Sequence, residues 1–128
     1  MPDDEDLLRQ SEAESRALQA HVGQAAALPG PSEVTARALA NALVAVVQDY
    51  LKGTSGTEDV ELFFEVHGRA PQDVHAWPGA ILADLHRHDI PAPARRTICD
   101  QAAARAIGYI AARSPLAWQE PGQGSPGR

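Results

Sequence analysis

Residues 34–51 constrain this chain more than any other stretch, because they are apolar around most of a helix circumference. Leu39, Leu43, Val46, Val47 and Tyr50 recur at helical spacing, and Ala36, Ala40, Val44 and Leu51 widen the apolar surface past one face. Arg37, Asn41, Gln48 and Lys52 form a narrow polar stripe on the remaining side. Such a helix must be covered on most sides, so it is predicted to be the centre of a bundle or one half of a subunit interface.

Its ends are marked. Leu28-Pro29-Gly30-Pro31 is a hard break, Ser32 suits an N-cap and Glu33 a first turn. Gly53 is the expected C′ residue, which bounds the helix at 33–52. Upstream, residues 7–28 favour helix, although the apolar stripe is weak there and Gly23 interrupts it. Downstream, Asp73 is a capping residue for a short helical piece, Pro78 suits the first turn of a helix over 78–88, and 94–113 reads as the last long helix. Ile98, Ala102, Ala106, Ile107 and Ile110 mark its buried side, and Ala104, Gly108 and Ala112 form a row of small residues suited to close packing.

Residues 58–67 fit two periods. As a helix they place Val60, Phe63, Phe64 and His67 on one face, closed by Gly68. As a strand they alternate Val60, Leu62, Phe64 and Val66 with more polar positions. No second strand lies nearby to pair with, so a short helix is expected, with a strand added across a dimer as the alternative. The fold class is therefore all-α, a bundle of four to five helices that dimerisation would complete. Residues 1–6 are expected to be a frayed acidic N-terminus, 7–116 a single helical domain and 117–128 a disordered Pro/Gly-rich tail.

Composition supports a partner. Of the 128 residues 44% are hydrophobic but only 5% aromatic, and alanine supplies much of the apolar content. An alanine core buries little area, at about 25 cal/mol per Å². The net charge of −6 is uneven: residues 1–64 carry eleven acidic and four basic side chains, and 65–128 six and seven. An acidic chain repels phosphate backbones, which disfavours nucleic acid. The one cysteine, Cys99, fits a reducing compartment. The N-terminus lacks a signal-peptide pattern, and no run is long enough to span a membrane, so a cytoplasmic location is expected.

The chain is poor in chemistry-bearing motifs. His86 and His88 fall on different helix faces, Asp84 and His88 stand four apart, and His75 lies upstream, but neither H-E-x-x-H nor C-x-x-C accompanies them. Cys99, early in its helix beside Arg95 and Arg96, has the setting of an activated thiol, although a buried inert cysteine is the commoner case. Glu58, Asp59, Glu61 and Glu65 read as a solvated face rather than paired catalytic carboxylates. No catalytic, metal or cofactor-binding residue is assigned and no cofactor is expected.

A small non-enzymatic interaction protein, an adaptor or subunit that pairs with another protein or with itself as a homo-oligomer, is the function expected. Leu39, Leu43, Val46, Val47, Tyr50, Trp77 and Trp118 are its core or interface candidates. The alternative is a helix-turn-helix-type DNA-binding regulator built on residues 73–113, with Arg95 and Arg96 as DNA contacts. A small metal-dependent enzyme using His86, His88 and nearby acids ranks third.

Overall fold

The structure, a computed structural model, describes residues 4–28 and 32–118. It is all-α, with helices α1 (Asp4–Ala25), α2 (Glu33–Thr54), α3 (Thr57–His67), α4 (Trp77–Arg87) and α5 (Ala92–Ala111), then the single-turn α6 (Pro115–Trp118). A 3-10 turn, Val74–Ala76, leads into α4. No strand occurs among the described residues, so the strand alternative for 58–67 is wrong. Gly56 supplies an extended N-cap to α3, Glu58 and Asp59 favour its first turn, and the Phe63 and His67 rings meet one turn apart, tilted by 49° with centroids 5.0 Å from each other.

Helix α2 is the centre. It packs against α1, α3, α4, α5 and α6, most extensively against α5, while α1 lies across α4 and α5. Ala36, Leu39, Ala40 and Leu43 are 0% exposed within the single chain, and Val46 and Val47 are buried. Of the two expectations for α2, the structure shows the bundle centre: this chain covers α2 by itself. The cover includes α6, whose Ala117 is buried, so the helical body extends past the expected boundary at 116. The remainder of the expected tail, from Gln119, lies outside the described residues, as do residues 1–3 of the acidic N-terminus; Asp4, Glu5 and Asp6 belong to α1.

Two expected details of α2 change. Arg37, placed on the polar stripe, is buried, its side chain 3% exposed and paired at 3.2 Å with the Glu33 carboxylate. Gly53 is not C′: the helix runs through it to Thr54 and is capped at Ser55, whose N–H donates to the Leu51 carbonyl at 2.7 Å. At the other end Ser32 caps as expected. Its Oγ accepts from the Thr35 N–H at 3.2 Å, and the Thr35 hydroxyl accepts from the Ser32 N–H at 3.3 Å.

Helix α1 explains its own weak pattern. Its buried stripe is Ser11, Ser15, Gln19 and Val22. Gly79 of α4 faces it, and a Cβ there would make an ordinary contact with Ser15 Cβ at 3.7 Å. Small side chains let the two backbones approach, and Gln19 Nε2 donates to Ser15 Oγ at 2.8 Å inside the contact.

Candidate functional site

Helix α3 is the least covered of the longer helices. Phe63 and His67 turn inward, Phe63 packed on the core and His67 buried, while Val60 is half-buried. On its flanks Leu62, Phe64 and Val66 stay 59%, 52% and 59% exposed. Leu62 and Val66, four residues apart, share one flank; Phe64 emerges on the other. Between them run Glu58, Glu61 and Glu65, all exposed. The α3 sequence contains four carboxylates and no Lys or Arg.

Two grooves follow from this shallow seating. One, about 480 Å³, lies between the C-terminal part of α2, the Leu62/Val66 flank and the turn after α4, with Tyr50, Leu51, Phe63 and Ile90 in its lining. Asp59, Asp84 and Asp89 also line it. The other, about 810 Å³ and more open, lies on the Phe64 flank beside Gln48, Val60 and Arg69.

The C-terminal end of α3 is pinned to α4. His67 Nε2 and Asp84 Oδ2 lie 2.6 Å apart, Arg87 donates to the other Asp84 oxygen at 3.2 Å, and Trp77 Nε1 donates to the His67 carbonyl at 3.0 Å. Gly68 caps the helix, its N–H donating to the Phe64 carbonyl at 2.7 Å, and a side chain there is disfavoured because a Cβ would meet that carbonyl oxygen at 2.5 Å and the Phe64 ring at 3.0 Å. The His67 side chain is only 8% exposed, so the imidazole–carboxylate pair works as a latch between elements rather than as a base open to a substrate.

The other sequence candidates are dispersed. Asp84 faces His67 and not His88. His86 reaches Glu14 of α1 at 3.2 Å, and His75 is exposed. Among the described residues no three His, Cys, Asp or Glu side chains gather as metal ligands. The thiol of Cys99 is pushed the opposite way from an activated nucleophile. Burial, then the Glu14 and Asp100 carboxylates, raise its pKa to about 11, outweighing Arg95. Of the two DNA-contact candidates, Arg95 is half-buried and donates to the Ile90 carbonyl, while Arg96 is exposed. Trp77 is 2% exposed and belongs to the core; the Trp118 side chain lies outside the described residues. Tyr50 is half-buried at the 480 Å³ groove. The row Ala104, Gly108, Ala112 points outward, and a Cβ on Gly108 would meet nothing within 4 Å.

Sequence reasoning missed the α3 flanks and the His67–Asp84 pair. The one available signal was His67 on the same face as Val60 and Phe63, which marks it as packed rather than solvated. Comparison with protein-family models, with curated proteins and with solved structures finds no match to this chain. No helix among the described residues is long and apolar enough to cross a membrane.

Proposed function

We propose that this chain is a small non-enzymatic interaction protein, an adaptor or a subunit of a larger assembly, and that α3 is its docking face. One observation carries the reading: Leu62, Phe64 and Val66 are more than half exposed on an 11-residue helix whose inward side is already satisfied. Large apolar side chains grouped on one element and rimmed by charge are the usual mark of a surface that another molecule covers. The chain buries α2 itself, so the apolar surface left for a partner to cover is on α3.

Capture by the full chain tests this, with a Leu62→Ser/Phe64→Ser/Val66→Ser variant as the matched bait and light scattering on both. The native chain is expected to retain a partner, or a second copy of itself, that the variant loses by at least about tenfold, since each buried apolar side chain contributes roughly 1.5–3 kcal/mol. Identical retained proteins together with identical monomeric masses would remove the proposal.

A further inference from the structure

The groove between α2, α3 and the turn after α4 is bounded by three elements, and its chemistry narrows what it accepts. We infer that it receives a basic amphipathic helix from a partner protein, an inference that rests on the docking reading above. Leu62 and Val66 form an apolar strip along the groove, each 59% exposed, with Leu51, Phe63 and Ile90 beside them. Apolar side chains laid on that strip gain burial that the chain itself does not provide.

Charge sets the sign of the partner. Asp59 enters the groove from α3 and Asp89 from the turn after α4, and both are exposed. Asp84 lines it too, but His67 and Arg87 already hold its oxygens. On the outer side of the strip α3 adds Glu58 and Glu65. A second copy presenting its own α3 brings the same carboxylates into contact with these, and like charges placed together suppress pairing. Lys and Arg on either side of an apolar stripe meet them favourably instead. The part of α3 that lines the groove, Asp59 to Val66, extends about 12 Å, or about two turns, so a partner helix with apolar anchors at i and i+3 or i+4 lies along it in the helix-in-groove manner.

The test uses the full chain and fluorescein-labelled peptides of about three helical turns: a Leu/Lys amphipathic helix, the corresponding Leu/Glu helix, and a Leu/Lys isomer with its leucines spread around the helix. Fluorescence anisotropy is expected to show the Leu/Lys amphipath binding at least about tenfold more tightly than either control, and losing at least about tenfold with Leu62→Ser/Val66→Ser. The Asp59→Asn/Asp89→Asn variant is expected to bind more weakly and with a shallower salt dependence. Because Leu62 and Val66 are exposed, the double variant keeps its native helicity and Tm, which circular dichroism checks. Equal affinity for the isomer, or for the Leu/Glu helix, or no loss in the double variant, overturns the inference. If the Leu62→Ser/Val66→Ser change weakens only the Leu/Glu helix or a self-association seen by light scattering, the docking face stands and the basic partner falls. If it weakens none of these, and the capture comparison is also unchanged, both fall.

Discussion

At the scale of single residues, three helix ends share one device. Ala27, Asp89 and Arg113 have φ of 60°, 56° and 54°, and each occupies C′ after α1, α4 and α5. Around each, the next N–H bonds back five residues: Leu28 to Gly23 at 2.8 Å, Ile90 to Leu85 at 3.4 Å and Ser114 to Tyr109 at 2.8 Å. This is the Schellman motif, and in the sequence a proline follows it each time, Pro29, Pro91 and Pro115. The left-handed conformation costs a side-chain-bearing residue about 1 kcal/mol, less for Asp. Ala27→Gly and Arg113→Gly are therefore expected to stabilise the chain by about 0.5–1 kcal/mol each, read from urea midpoints, with Asp89→Gly gaining less. A loss of stability in both would contradict the strain. Glycine position misled at exactly this level of detail in one place: Gly53 looked like a cap and lies inside α2, whereas the true caps carry Cβ atoms and are betrayed only by the prolines after them.

Cys99 gives a second prediction at this scale. Its folded-state pKa is raised from 9.0 to about 11, so the folded chain keeps a proton that the unfolded chain releases. Its contribution to stability is accordingly intact below pH 9 and lost as the pH rises from 9 toward 11. Cys99→Ala should show a shallower loss of stability across that window than the native chain, and native Cys99 should alkylate with iodoacetamide more slowly at pH 8 than the same thiol in denaturant. Equal alkylation rates in the two states would show an open, ordinary thiol.

At the scale of elements, α3 rests on α2 through Phe63 and is pinned to α4 by a few contacts at its C-terminal end. Its N-terminal connection runs through Ser55 and Gly56, and Gly56 makes no side-chain capping bond. Its far end is held by the His67–Asp84 pair and the Trp77 bond to the His67 carbonyl. His67→Ala removes the first and the ring contact with Phe63, at a cost of about 2 kcal/mol. Amide exchange in α3 is then expected to quicken by at least about tenfold beyond any change in α2, since local opening follows the lost contacts. Equal acceleration in the two helices would make His67 an ordinary core residue. The sequence could not pair His67 with Asp84 because 17 residues separate them, and the local i,i+4 rule pointed to His88. Nor could it reveal the α3 flanks: the segment satisfies both a helix and a strand period, the helix reading put Phe64 on the inward face with Phe63 and His67, and the structure instead leaves it 52% exposed because nothing packs on that flank. The α1 stripe was faint for the opposite reason, since the side chains it buries are mostly small or polar, Ser11, Ser15 and Gln19, with Val22 as its one large apolar member.

At the scale of the whole molecule, the all-α class, the break before Ser32 and the central place of α2 were legible because they follow from periodicity and capping within one segment. Whether α2 is covered by its own chain or by another was not, because that depends on how α1, α4, α5 and α6 pack together. The structure answers with Leu39 and Leu43 at 0% exposure in a single chain. Hydrogen exchange of the chain at a dilution where light scattering gives the monomer mass of 13.6 kDa tests that answer most directly. The α2 amides around Leu39 to Val47 are expected to be the slowest in the molecule and independent of concentration, with α3 faster. Protection of α2 that appears only as concentration rises would contradict the account, returning α2 to a subunit interface.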